Sequence, residues 1–180
     1  MLIAMSNVDG NVIYEEKVRF PIIRGIVALF AVMTITFMVA YLYQLITGQQ
    51  DDSSVPLWFA ATILSAMALL TLFLANLVTL SIRMTEEGAV VGFGIFRVGV
   101  KWVDVRDCRP DRESSFLSAA NWGVSVGFTG RKFRRMYNVM GCPRVVLEMR
   151  QGRRALVFST KEPDKVVDII KSRIQTQRAV

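Results

Sequence analysis

Two patterns of hydrophobic spacing divide this chain. From Gly25 to Ile46 the residues GIVALFAVMTITFMVAYLYQLI run without a formal charge, and from Pro56 to Leu80 the run PLWFAATILSAMALLTLFLANLVTL does the same. At about 1.5 Å per residue each is long enough to cross a hydrocarbon core of about 30 Å. After Leu80 the period shortens to two. Residues 81–110 alternate in short apolar steps broken by glycines, WGVSVGF (122–128) repeats the pattern, and RVVLEMR–QG–RRALVFST (144–160) reads as a hairpin turning at Gln151-Gly152. There Val145, Leu147 and Met149 share one face. Between these strands, 111–121 is polar and loop-like. Pro163 and Asp164 then open a helix striped by Val166, Val167, Ile170 and Ile174. The pattern predicts a transmembrane α-helical hairpin (spans 25–46 and 56–80) after an N-terminal segment 1–24. A domain of six to eight short strands capped by a C-terminal helix follows at 81–180.

Charge orients this arrangement. The chain has 180 residues and a net charge of +7, yet 52% of it is hydrophobic. Residues 83–180 carry nineteen Lys/Arg against ten Asp/Glu, while the loop between the spans has two Asp and no Lys or Arg. Arg19 and Arg24 precede the first span and Arg83 follows the second. The positive-inside bias predicts a multi-pass protein of the cell membrane with both termini and the domain in the cytoplasm. The first run starts too late, and is too long, for a cleaved signal peptide. Tyr41, Tyr43 and Trp58 suit the membrane interface.

Within the spans the polar residues are mild. Asn76 is expected to bond across helices or to another membrane subunit, and Ala61 with Ser65 forms a small-xxx-small pair that permits close helix approach. No Asp, Glu, Lys or Arg sits at membrane depth, which argues against an ion path.

YEEKVRFP (14–21) before the first span and MTEEGAVVGFGIFRVGVKWVDV (84–105) after the second, with NWGVSVGF (121–128) and YNVMGCPRVVLEMRQGRRALVFSTKEPDKVVDII (137–170), resemble prokaryotic two-helix membrane proteins carrying a C-terminal PH-like domain. The resemblance covers most of the chain and implies a bent seven-stranded barrel closed by the final helix. It brings no catalytic set with it.

Candidate chemistry is sparse. There is no His, and Cys108 and Cys142 fit no zinc spacing, so neither a metal nor another cofactor is expected; both cysteines read as buried thiols. Gly92-Phe93-Gly94 lacks the third glycine and the helix of a phosphate loop and reads as a bulge or bend between strands. Asn121 and Trp122 read as turn former and core aromatic. Asp104, Asp107, Asp111 and Glu113 interleave with Arg106, Arg109 and Arg112, a salt-laced surface rather than paired catalytic carboxylates. The run Arg131, Lys132, Phe133, Arg134, Arg135 stands out. Its plain reading is a solvated hairpin loop. Its functional reading is contact of Arg131, Lys132, Arg134 and Arg135 with anionic headgroups or an acidic partner. Nucleic acid fits poorly, because stacking aromatics are not interleaved with the cations beyond Phe133. The expectation is a non-catalytic, membrane-anchored interaction module, an accessory or assembly subunit that meets membrane lipids and other membrane-protein subunits. An anionic-lipid-responsive PH-like domain is the alternative, and an unrecognised membrane enzyme is a distant third.

Overall fold

The computed structural model describes residues 10–47, 56–111, 122–129, 132–152 and 154–178. The chain forms two units, one of residues 21–78 and the other of residues 1–20 together with 79–180.

The first unit is two apolar helices, α1 (Pro21–Thr47) and α2 (Leu57–Asn76), packed on each other. Both are long and apolar enough to cross a membrane. Partly covered positions on α2 include Ala60, Leu64, Met67, Thr71 and Leu74, a spacing of four and three that marks the seam with α1, and the terminal Asn76. Elsewhere the apolar side chains face outward; Leu29 and Leu69 keep 59% and 68% of their surface. Neither helix is amphipathic in the manner of a soluble protein's surface helix. The threonines close locally, as where the Thr34 hydroxyl donates to the Phe30 carbonyl at 2.8 Å. The boundaries differ from the sequence expectation. Helix α1 starts four residues earlier, at Pro21, where proline suits a first turn. Helix α2 stops at Asn76, because Thr79 and Leu80 are claimed by a strand.

The second unit holds nine strands among the described residues, in two sheets. One, ordered β1-β2-β3-β4, comprises β1 (Val12–Arg19), β2 (Thr79–Thr85), β3 (Gly88–Phe93) and β4 (Phe96–Lys101), antiparallel throughout. A 3-10 turn, Trp102–Asp104, carries the chain to the second sheet, ordered β5-β8-β9-β7-β6. Its strands are β5 (Val105–Pro110), β6 (Gly123–Thr129), β7 (Lys132–Asn138), β8 (Arg144–Met149) and β9 (Arg154–Ser159). The predicted 144–160 hairpin forms, with Gly152 at φ +74° in its turn. Strand β9 lies between β8 and β7 and runs parallel to β7.

The sheets do not close into the seven-stranded barrel that the resemblance implied. The 3-10 turn starts a new sheet rather than extending the old one, so β4 and β5, consecutive in sequence, are edges of different sheets. The separate N-terminal segment 1–24 also gives way: β1 pairs with β2 from Arg19 opposite Thr79 to Val12 opposite Thr85. The two-helix unit is thus an insertion between two neighbouring strands.

The inward face of the first sheet is apolar, with Val18, Leu80, Ile82, Met84, Val91 and Phe93 fully buried. Burying each such side chain contributes about 1.5–3 kcal/mol. Phe93 stacks on Tyr137 of the second sheet at 6.5 Å between centroids. Trp102 is completely enclosed and donates its indole N–H to the Thr85 carbonyl at 3.0 Å, joining the turn to the first sheet. The final helix, α3 (Pro163–Arg178), packs on β5, the 3-10 turn and β8, burying Val166, Val167, Ile170 and Ile174 as its stripe predicts.

Candidate functional site: a two-arginine cleft

The basic run is not a loop. Residues 132–135 begin strand β7, and Arg131 lies outside the described residues; Lys132 is placed by its backbone alone. Successive residues on a strand face opposite ways, so Arg134 and Arg135 cannot serve one surface. Arg135 shares its face with Phe133 and Tyr137. In the parallel register with β9, Phe133 lies opposite Arg154 and Arg135 opposite Leu156. Arg135 and Arg154 are therefore diagonal neighbours on one face. Val98 and Val100 of edge strand β4 and Met149 of β8 wall the space beside them, forming a cleft of about 240 Å³. Asp104 of the 3-10 turn stands at its border, its backbone carbonyl accepting the Arg150 N–H at 2.7 Å.

Burial raises the pKa of the Tyr137 phenol above its ordinary value, and the adjacent Arg135 guanidinium pulls it back. Guanidinium groups stay protonated at any working pH, and apolar walls strengthen their pull on an anion. Two guanidinium forks beside apolar surface can hold a carboxylate or phosphate joined to an apolar group. The described lining holds one carboxylate, two guanidiniums and an amide, and no nucleophile placed beside a base. Sequence reasoning found Arg135 through the density of charge; it missed Arg154, whose partnership depends on the β7–β9 register.

No protein-family model, curated protein or solved structure matches this chain.

Two other polar groupings emerge only in three dimensions. Glu16, an inward position of β1, accepts hydrogen bonds from the Tyr14 hydroxyl (2.9 Å), the Thr160 hydroxyl (2.5 Å) and the Lys161 N–H (2.8 Å). It ties the edge strand to the segment entering α3. Burial and the Glu16 carboxylate push the Tyr14 phenol up to about 12, and the Lys165 ammonium sits 5.5 Å above its ring. The outward face of the first sheet collects Lys17 and Arg19 from β1, Arg83 from β2, and Arg97 and Lys101 from β4, all exposed. Glu15 is the carboxylate among them, 3.2 Å from Lys17.

In the helical unit, Asn76 is the last residue of α2. Ala61 and Ser65 are exposed and lie off the seam with α1, so the small pair does not mediate the contact between these two helices. Asn121 and Glu113 fall outside the described residues; Trp122 is half-buried.

Proposed function

We propose that this protein is a non-catalytic, membrane-anchored interaction module, an accessory or assembly subunit of a larger membrane complex. Helices α1 and α2 span the cell membrane, both termini are cytoplasmic, and the β domain is a PH-like variant that presents its cleft to an acidic group on another subunit. The cleft carries this reading: two permanently charged donors from different strands, set beside apolar walls, suit a carboxylate flanked by apolar residues. The pairing of β1 with β2 supports the topology, because strands that hydrogen-bond to each other lie on one side of whatever the intervening helices cross.

The test is native electrophoresis of gently solubilised membranes. Wild type is expected to migrate in a high-mass band, and the Arg135→Ser/Arg154→Ser double variant to leave it while keeping its own thermal stability. Retention of the band by a stable double variant would rule out the cleft as the docking site. An anionic-lipid-responsive domain is the second reading, favoured by the five cations on the outward face of the first sheet. A band that survives the double variant and disappears in preparations stripped of anionic lipid would favour it.

A further inference from the structure

The two ends of the first sheet carry different turns, and its registers show how they are placed. Val18 lies opposite Leu80, Leu80 opposite Phe93, and Phe93 opposite Phe96, a single row across all four strands. One step beyond that row are Arg19 and Thr79, through which the chain leaves for α1 and returns from α2, and the β3–β4 turn at Gly94 and Ile95. Strands lie about 4.8 Å apart, so this turn, between the third and fourth strands, is about 7 Å from the return point at β2 and about 12 Å from the departure point at β1. Ile95 is 71% exposed and Phe96 39%, large apolar surface on a turn where polar residues are usual. Arg97 follows them on β4, and Arg19 lies at the same end of the sheet on β1. At the opposite end of the sheet the β2–β3 turn is acidic, Glu86-Glu87, both exposed, beside the exposed Val12 and Ile13 that begin β1.

We infer that the β3–β4 turn is a third, non-covalent membrane anchor: Ile95 and Phe96 embed in the headgroup layer of the leaflet the helices enter, with Arg19 and Arg97 on anionic phosphates. The inference rests on the proposal that α1 and α2 span a membrane. Arg19 is two residues from the first residue of α1, about 7 Å of extended chain, and the headgroup layer is itself about 5–7 Å deep. A turn level with Arg19 and carrying an isoleucine and a phenylalanine is within reach of that layer. Cations beside buried apolar side chains are the usual composition of an interfacial contact. The acidic Glu86-Glu87 turn, at the far end, faces away from the same negative surface. A third point of attachment beside the two chain connections would restrict how the β domain tilts on the leaflet.

The experiment uses the full chain in vesicles of equal parts phosphatidylcholine and phosphatidylglycerol, with Cys142→Ser so that one introduced cysteine carries an environment-sensitive fluorophore; Cys108 is buried and stays unlabelled in the folded protein. The probe is placed by Ile95→Cys, Glu87→Cys or Leu69→Cys, and quenching is read with nitroxides on the lipid. The expected result is several-fold stronger quenching at 95 than at 87 by a shallow nitroxide, and strong quenching at 69 by a deep one. Equal, weak quenching at 95 and 87 with strong quenching at 69 would overturn the anchor and leave the spanning helices standing. Weak quenching at 69 would overturn the spanning helices, and the anchor with them.

Discussion

Several residues acquire a role from what sits within a few ångströms of them. Gly92 reads from the sequence as a bulge, but it pairs in unbroken register with Arg97; a Cβ there would stand 2.2 Å from the Phe96 carbonyl oxygen. Glycine at this place lets two backbones approach, and it is Gly94, at φ +43°, that makes the bend. Arg144 and Asp111 form an ion pair at 3.1 Å with both side chains 6% exposed, where removing one partner typically costs about 3–5 kcal/mol. The Lys17–Glu15 pair, half in water, is of the class that contributes about 0–1 kcal/mol. The cysteines separate in the same way. Cys108 is fully enclosed, and burial, followed by the charge of Asp107, pushes its thiol up to about 12, whereas Cys142 is half-exposed and its thiol, also raised by burial, stays within reach of solvent. Iodoacetamide at pH 8.5 is therefore expected to modify Cys142 and spare Cys108 in the folded protein, and to modify both in denaturant, as read by peptide mass. Because folding raises the Cys108 pKa, its contribution to stability is complete below about pH 9, the ordinary thiol value, and is lost as pH climbs toward about 12. Modification of Cys108 at pH 8.5 without denaturant would show that β5 is not sealed.

At the scale of elements, β1 matters most. It precedes the helices yet completes the first sheet, and Glu16 joins it to the entrance of α3. Without it, β2 would present an open edge of unpaired N–H and C=O groups, a template for aggregation. The pairing of Arg19 with Thr79 shows how to remove the helices cleanly: residues 20–78 replaced by Asn-Gly, the dipeptide suited to a two-residue hairpin turn. This joined domain is expected to be monomeric on gel filtration and to melt cooperatively by circular dichroism. Residues 79–180 alone are expected to aggregate or to melt without a sharp transition. Equivalent behaviour of the two proteins would mean that β1 adds nothing to the sheet.

For the whole molecule, the loop between the helices carries Asp51 and Asp52 and no cation; both residues lie outside the described set. The chain on either side of the helices returns to one β domain with a surplus of positive charge. In the proposed membrane-spanning arrangement, pairing of β1 with β2 would require an even number of crossings, and the positive-inside bias would put the domain in the cytoplasm. A membrane-impermeant maleimide applied to intact cells is expected to label the Asp51→Cys protein at position 51, and to reach Cys142 only after permeabilisation. Labelling of Cys142 in intact cells would invert the orientation and relocate the cleft's partner to the outside.

What the sequence determined by itself is local. The two apolar runs became α1 and α2, shifted by a few residues at their ends. The stripe of Val166, Val167, Ile170 and Ile174 became the buried face of α3, and the segment turning at Gln151-Gly152 became the β8–β9 hairpin. Each is written in residues that lie close along the chain, where periodicity and turn chemistry act directly. Tertiary structure decided what depends on register between distant segments. Strand β1 is hard to see in Glu15-Glu16-Lys17, because two of the three donors to its inward carboxylate, Thr160 and Lys161, lie well over a hundred positions later. Arg135 and Arg154 become neighbours only because β9 inserts between β8 and β7. The run of four cations was legible as charge but not as geometry, since a strand sends adjacent side chains to opposite faces. The barrel implied by resemblance failed for the same kind of reason: whether β4 and β5 extend one sheet or begin two is settled by how Trp102 buries itself at the turn between them, which no local pattern encodes.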